Sequence, residues 1–280
     1  MNKLNAKELE LTAYRGRLLA VDAVYTASSG HPGGSLSCID ALTALYFNEM
    51  NIDPSNPSDP DRDRFVLSKG HCAPALYSVL ALRGFFPVED LKLFRSIKGH
   101  YSGHPDMVNV PGVDMSTGSL GQGLSAAVGM ALAAKHNSRP YRCYSILGDG
   151  ELAEGQIWEA VMAAAKWKLD NLCIFVDING LQIDGKTCDV MPTDPVDAKF
   201  AAFNWNVISI DGHSQDEILS ALASARACSG KPTAILMKTV KGKGVSFMEN
   251  QAGWHGKAPN AEQFEIAKAE LEAKIKELEG

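Results

Sequence analysis

Apolar residues recur every three or four positions in several parts of the chain, which is the period of an amphipathic α-helix. The first such part covers residues 4–24 and ends at the Ser-Ser-Gly sequence of residues 28–30. The same period predicts helices at residues 38–49, 74–83, 124–136, 154–169 and 215–227, and a C-terminal amphipathic helix that carries Phe264, Leu271, Ile275 and Leu278.

Short runs rich in β-branched and apolar residues predict buried strands. These runs lie at residues 64–67, 143–147, 172–177, 207–210 and 232–240. Because strands and helices alternate, we expect an α/β fold: a doubly wound, mostly parallel sheet with helices on both faces, joined by right-handed crossovers. The whole of residues 1–280 is predicted to form a single domain with peripheral N- and C-terminal helices.

Two segments are predicted to lie outside helices and strands. Residues 29–35, SGHPGGS, contain glycines and a proline that break both periods. Residues 53–64, DPSNPSDPDRDR, combine prolines and aspartates that favour turns. We therefore expect two loops, the second of them a solvated connection.

The composition narrows the class of protein. The chain of 280 residues is 45% hydrophobic and carries a formal charge of −6, which excludes a disordered or fibrous protein and argues against a nucleic-acid partner. Its longest apolar run, residues 126–134, is far shorter than the ~20 residues that span a bilayer, so no membrane partner is expected. Six cysteines without C-x-x-C pairs are predicted to be buried free thiols of a cytoplasmic protein.

Candidate chemistry lies where two predicted strands end. Asp149 follows the strand at 143–147, and Asn179 follows the strand at 172–177, with one helix between them. Ligands of open α/β sheets bind beyond the carboxyl ends of the strands, so both side chains are expected at one edge. A carboxylate, an amide oxygen and a main-chain carbonyl suit Mg²⁺, with phosphate oxygens and water completing its shell. The sequence therefore predicts a site for Mg²⁺ and a diphosphate.

These sequences also have ordinary explanations. Asp-Gly at 149–150 and Asn-Gly at 179–180 are common in turns, but their joint occurrence after buried strands favours the metal site. The glycine-rich residues 118–123 open a predicted helix, whose N-terminus suits an anion. Their G-x-x-G-x-G spacing, with no clear strand before it, argues against a nicotinamide nucleotide site.

Five of the seven histidines lie in predicted loops beside glycine: His31, His71, His100, His104 and His255. Loop positions favour a functional role over burial in the core, and imidazole suits proton exchange with sugar hydroxyls. His136 ends a helix and His213 follows a strand, so both are predicted to be structural.

The motifs together resemble the N-terminal, diphosphate-binding domain of transketolases, the thiamine-diphosphate enzymes that move two-carbon ketol units between sugars. The resemblance covers residues 9–259 in an unbroken order of motifs. These motifs are SGHPGGSLS at 29–37, RFVLSKGH at 64–71, GHPD at 103–106, STGSLGQG at 116–123, GDGELAEGQIWEA at 148–160, VDINGLQIDG at 176–185 and WHGKAP at 254–259.

The resemblance implies how the cofactor would be held. Asp149, Asn179 and the main-chain carbonyl of Leu181 would bind Mg²⁺, for which Ca²⁺ or Mn²⁺ could substitute. Gly150 would touch the diphosphate of thiamine diphosphate, and Asn179 would contact the cofactor together with the metal. His71 would lie close to the same diphosphate.

The resemblance also implies catalytic residues. His31, His104 and His255 would line the channel above the thiazolium ring and contact the hydroxyls of the donor sugar. His100 has no role that the resemblance assigns.

Three further positions would meet the rest of the active site. Gly118 and Leu120 would contact the aminopyrimidine ring of the cofactor, and Glu154 would lie at a subunit interface against the partner domain. The resemblance does not extend to the pyrimidine-binding and C-terminal domains, which carry the glutamate that protonates the cofactor and most arginines that grip substrate phosphate.

We therefore expect a split transketolase, in which a separate C-terminal subunit supplies the missing domains. Two copies of each chain would form a heterotetramer that transfers ketol units from a ketose phosphate to an aldose phosphate, either in the pentose phosphate pathway or on a specialised sugar. The alternatives are a subunit of a deoxyxylulose-phosphate synthase-like enzyme, the α subunit of a 2-oxo acid dehydrogenase, or a non-catalytic cofactor-binding module. The histidine pattern fits a transketolase better than the other two enzymes.

Overall fold

The computed structural model describes residues 3–280, and its centre is a sheet of five parallel strands in the order β1-β2-β3-β7-β6. A two-stranded antiparallel hairpin, β4 and β5, follows β3 in the chain. The strands are β1 (Arg64–Leu67), β2 (Cys143–Gly148), β3 (Leu172–Ile178), β4 (Leu181–Gln182), β5 (Gly185–Lys186), β6 (Asn206–Asp211) and β7 (Thr233–Lys238).

Helices cover both faces of this sheet. They are α1 (Ala6–Thr26), α2 (Pro32–Ala44), α3 (Ala73–Arg83), α4 (Gln122–His136), α5 (Gly155–Lys166), α6 (Thr187–Val190), α7 (Val196–Ala202), α8 (Gln215–Ala227) and α9 (Ala261–Glu279). A π-helical turn, Leu45–Glu49, extends α2.

Alternating side chains of each strand enter two separate core layers, as the two-residue period of a strand requires. In β3, Phe175 packs in the layer formed with α2, α3 and α8, whereas Ile174 and Val176 pack in the layer formed with α4, α5 and α7. All three side chains are fully buried. The near-continuous apolar sequence of the strand follows from this burial on both faces.

The strand order reverses beside β3. The chain passes from β3 through α7 to β6 and then returns through α8 to β7, which lies between β3 and β6. The α7 and α8 connections lie in opposite core layers. The doubly wound α/β fold expected from the sequence is thereby confirmed, and its reversal point marks the edge where a ligand site is expected.

The prediction of a loop throughout residues 29–35 is wrong. Helix α2 begins at Pro32, six residues before the predicted start, with proline at its first position, where no backbone N–H is needed. Gly33 and Gly34 occupy helical positions at which tight packing leaves no room for a side chain. A Cβ atom at Gly34, for example, would lie 2.9 Å from the Cys72 sulfur.

The expectation that every cysteine is buried is also wrong in part. Cys38, Cys72, Cys143 and Cys173 are buried free thiols, whereas Cys188 in α6 is exposed and Cys228 is half-buried. Neither of these last two lies in a strand or on the core-facing side of a long helix, which is where the buried thiols of α2, β2 and β3 are found.

The first and last helices pack together at the periphery. Tyr25 of α1 stacks on Phe264 of α9 with ring centroids 4.1 Å apart, within a third apolar cluster that includes Leu271. Asn260 begins α9 with a capping box, in which its side chain accepts from the backbone of Gln263. No helix within residues 3–280 is long and apolar enough to cross a membrane.

Candidate functional site

A cavity of about 300 Å³ lies at the carboxyl ends of the central strands. Most of the site residues predicted from the sequence line it. They are His31, His71, Gly118, Leu120, Asp149, Gly150, Asn179, Leu181 and His255. His104 and Glu154 are not among its lining residues.

Asp149 ties the end of β2 to the end of β3. Its Oδ1 accepts from the N–H of Gly150 at 2.8 Å, and its Oδ2 accepts from the N–H of Gly180 at 2.6 Å. Burial raises the pKa of Asp149, and the nearby carboxylate of Asp177 raises it further. A cation bound beside Asp149 would relieve this unfavourable placement of a charged group.

Asn179 presents its amide in a fixed orientation. Its Nδ2 donates to Oδ2 of Asp177 at 3.2 Å, and its Oδ1 accepts from the N–H of Leu181 at 3.1 Å. The carbonyl oxygen of Leu181 accepts from Nζ of Lys241 at 3.2 Å. The carboxylate of Asp149, the amide oxygen of Asn179 and this carbonyl are the hard oxygen ligands that Mg²⁺ prefers. Residues 3–280 contain no group of three or more His, Cys, Asp or Glu side chains placed to hold a metal ion.

A buried ion pair lies beside Asp149 and Asn179. Lys69, two residues after β1, donates to the carboxylate of Asp177 and to the carbonyl of Gly34, the latter at 3.1 Å. Burial opposes the charge of Asp177, but the ammonium of Lys69 and hydrogen bonds from Ser37 and Thr239 hold its pKa below the usual range. Asp177 is therefore a charged acceptor that anchors Asn179.

A second buried carboxylate shapes the glycine-rich turn before α4. Oε1 of Glu151 accepts from the hydroxyl of Ser68 at 2.5 Å and from the N–H of Gly121 at 2.8 Å. Its Oε2 accepts from the N–H of Gly148 at 3.1 Å. These bonds hold residues 118–123 against the end of β2, which brings Gly118 and Leu120 to the cavity wall.

Four histidine rings lie close together, and three of them line the cavity. The ring centroid of His31 lies 5.4 Å from that of His71, 5.5 Å from that of His255 and 6.0 Å from that of His104. The rings of His71 and His255 stack at 4.8 Å. The loops that follow α1, β1 and β7, and the loop before α4, therefore converge as the sequence motifs suggested.

The surroundings of His31, His104 and His255 disfavour the protonated imidazole. Burial, followed by the neighbouring His71, lowers the pKa of His31 to about 4. Burial, followed by the ammonium of Lys241, lowers the pKa of His255 to about 3. Burial also lowers the pKa of His104. These three rings are therefore neutral near neutral pH and can donate or accept hydrogen bonds.

Two predicted residues lie beside the cavity. His104 lines a neighbouring surface groove with His100 and Arg95. Its ring lies against Gly118, where an added Cβ atom would be 3.2 Å from Cδ2 of His104. Glu154 is exposed at the start of α5, where its Cβ would lie 3.1 Å from a Cβ atom at Gly121. Both positions are accessible from outside the chain.

Comparison with known proteins identifies the family. The model of the transketolase thiamine diphosphate binding domain matches residues 9–277. The chain belongs to the transketolase family. The resemblance inferred from the motifs is thereby confirmed, and thiamine diphosphate is the cofactor that this domain binds.

Two transketolase relatives match this chain over almost their whole length. The 6-deoxy-6-sulfo-D-fructose transketolase subunit SqwG of Clostridium sp. (strain MSTE9) is 50% identical over 256 residues, which cover 91% of this chain and 93% of the relative. A subunit of the apulose-4-phosphate transketolase of Phocaeicola vulgatus is 44% identical over 276 residues, which cover 99% and 98%. The chain is thus homologous to individual subunits of split transketolases.

A solved transketolase gives the same fold. The transketolase from Leishmania mexicana superimposes with a TM-score of 0.87 at 29% sequence identity, covering 99% of this chain and 45% of that one. The chain therefore spans about half the length of the solved transketolase.

The transketolase site contains charged residues that the sequence analysis did not single out: Lys69, Glu151, Asp177 and Lys241. The first three lie inside the quoted motifs, and Lys241 lies in the loop after β7. The sequence does contain a signal for them, because a charged residue at the carboxyl end of a buried strand, or within three residues after it, points to the ligand-binding edge.

Proposed function

We propose that this chain is the diphosphate-binding subunit of a two-chain transketolase that requires Mg²⁺. The observation that carries the proposal is the cavity at the ends of β2 and β3, in a chain that aligns along 93% and 98% of two transketolase subunits. With its companion, it transfers a two-carbon ketol unit from a ketose phosphate to an aldose phosphate.

The oxygen ligands of the cavity would hold the metal and the diphosphate. Asp149, Asn179 and the carbonyl of Leu181 would bind Mg²⁺, or Ca²⁺ or Mn²⁺ in its place, while the backbone N–H groups beside Gly150 approach the phosphates. His71 would add a hydrogen bond from the opposite wall. When bound, thiamine diphosphate supplies the carbanion chemistry, and the protein supplies position and proton donors or acceptors.

The neutral histidines fit the handling of a polar sugar. His31 and His255 line the cavity, and His104 extends the same group toward the outside groove. Because the pKa values of His31 and His255 are about 4 and about 3, these two rings would donate and accept hydrogen bonds with sugar hydroxyls rather than carry a charge. The three form the catalytic set of this subunit.

A companion chain would complete the site. Gly118 and Leu120 would contact the aminopyrimidine ring from this side, and the exposed Glu154 would meet the companion's pyrimidine-binding domain. Residues 1–280 act as one domain in this arrangement, and two copies of each chain would form a heterotetramer.

The substrate would be a ketose with an anionic group. One relative is named for 6-deoxy-6-sulfo-D-fructose and another for apulose 4-phosphate, and these two sugar names include a sulfonate and a phosphate. A ketose phosphate and a sulfonated ketose are therefore the two donor types to compare.

Reconstitution tests the proposal. We expect ketol transfer from the purified chain only after addition of the companion subunit, thiamine diphosphate and Mg²⁺. The D149N variant should abolish this activity and weaken cofactor binding by at least about 100-fold, measured by calorimetry, because a charged metal ligand is lost.

A matched variant separates these effects from general damage. D216N removes a carboxylate from the exposed first turn of α8 and should leave activity and cofactor affinity unchanged. Full activity of the chain alone would overturn the two-chain proposal, and unaltered cofactor affinity in D149N would overturn the metal assignment.

A further inference from the structure

A chain of polar groups, buried at Arg17 and Asp40 and partly buried at His213, lies outside the cavity and joins four elements. Asp40 of α2, 2% exposed, accepts from the guanidinium of Arg17 in α1. Its Oδ2 also lies 2.8 Å from Nδ1 of His213, which follows β6. Nε2 of His213 accepts from the backbone N–H of Val240, after β7, at 2.9 Å. No cavity-lining side chain belongs to this set.

The partners fix the protonation pattern of His213. Nε2 must carry a lone pair, because the N–H of Val240 can only donate. Nδ1 therefore carries the proton of the neutral ring and donates it to Asp40. Burial opposes the charge of Asp40, but Arg17 and the hydrogen bond from His213 hold its pKa below the usual range. Asp40 is thus a permanent acceptor that keeps the lone pair of His213 directed at Val240.

The segment that His213 holds leads directly into the cofactor cavity. Lys241 follows Val240 and is 2% exposed, with its Nζ 3.1 Å from Nδ1 of His255. Gly242 donates from its N–H to the carbonyl of Gly33 at 2.9 Å, beside the start of α2. A shift of this backbone would move both Lys241 and the helix that begins after His31.

We propose that His213 is a positioning residue of the active site, which fixes residues 240–242 so that Lys241 and His255 face the cavity. It does not touch the cofactor or the sugar. The inference rests on the proposed function, since it takes this cavity as the cofactor site. The sequence pattern alone predicted only a structural histidine here.

Two substitutions, each of which keeps one of the two hydrogen bonds of the imidazole, test the proposal in residues 1–280. In H213Q the longer amide can place its oxygen where Nε2 lies and still accept from Val240. In H213N the shorter amide can reach Asp40 but not Val240, and H213L makes neither bond. H136L, at the exposed end of α4, is the matched control.

Amide hydrogen exchange of residues 240–242 is measured without cofactor, and affinity for thiamine diphosphate with Mg²⁺ is measured with the companion subunit. We expect H213L and H213N to exchange about tenfold faster at Val240 and to bind the cofactor about tenfold more weakly, because a partly buried N–H loses its acceptor. H213Q should stay within about threefold of the wild type in both measurements, and H136L should match the wild type.

The outcomes are separable. Unchanged exchange at Val240 in H213L overturns the inference, and so does an equal loss in H213Q and H213L, which would indicate general destabilisation. If the wild-type complex itself binds no thiamine diphosphate, the proposed function fails, while the exchange pattern still decides whether His213 holds the segment.

Discussion

The histidines of the cavity differ from free imidazole because of their neighbours. His255 stacks on His71 and receives a hydrogen bond from Lys241, so a proton on its ring would meet both burial and a nearby positive charge. The sequence identified His255 as a candidate from its loop position and its motif. It could not predict the lowered pKa, because burial and the contacts with Lys241 and His71 depend on how the loop after β7 folds against the rest of the chain.

The lowered pKa predicts how stability depends on pH. An unfolded histidine titrates near ~6.5, whereas His255 in the folded chain titrates at about 3, so protons bind preferentially to the unfolded chain between these values. The stabilisation is complete above the unfolded pKa and is lost as pH falls through this window. We expect the melting temperature to fall from about pH 6.5 downwards, and to fall less steeply in H255Q.

Thermal denaturation at intervals between about pH 4 and pH 7 checks this expectation, with the folded baseline monitored by circular dichroism. Parallel curves for the wild type and H255Q would show that His255 does not contribute to the acid sensitivity.

Among the elements, the strands were predictable and the start of α2 was not. The five sheet strands begin and end within a few residues of the predicted limits, because continuous apolar runs mark strands buried on both faces. The glycines of α2 look like helix breakers in sequence. Their actual role depends on contacts with the distant Trp254 and Cys72, which no local pattern records.

A pair of glycine substitutions distinguishes a glycine that is required by tight packing from one that only weakens its helix. A Cβ atom at Gly33 would lie 2.8 Å from the carbonyl oxygen of Trp254, so G33A should destabilise the fold by about 1–3 kcal/mol. Gly129 in α4 is exposed and has nothing within 4 Å of the corresponding position, so G129A should stabilise it by about 0.5–1 kcal/mol. Urea denaturation of both variants measures the difference, and equal effects would refute the packing argument.

For the molecule as a whole, the ion pair of Lys69 and Asp177 connects both sides of the site. It links the end of β1 to β3, and it reaches α2 through the carbonyl of Gly34 and the hydroxyl of Ser37. The two charged residues are separated by 108 positions in the chain. Sequence reasoning therefore singled out the residues proposed to bind Mg²⁺ at the strand ends, but not the buried charges beside them.

Breaking this pair should have a large and non-additive effect. K69M leaves the carboxylate of Asp177 buried without its cation and should cost about 3–5 kcal/mol of unfolding free energy. K69M combined with D177N should cost less than K69M alone, because the amide is neutral. Its oxygen can accept from one of the hydroxyls of Ser37 and Thr239, and its NH2 group can donate to the other. R15M breaks a surface pair with Glu279, both about half exposed, and should cost about 0–1 kcal/mol.

Denaturant titrations of the three variants and the wild type give these values. A double variant less stable than K69M would mean that the charge of Asp177 is not the source of the penalty.

The exposed thiol of Cys188 offers a labelling position for measuring the association of the two subunits. It lies on α6, directly after the β4–β5 hairpin whose residues border the cavity, while four of the other cysteines are buried. A maleimide dye would therefore react there first, with the half-buried Cys228 replaced by serine to keep the label at one position. Fluorescence from that dye would then report docking of the companion chain in real time, without any catalytic turnover.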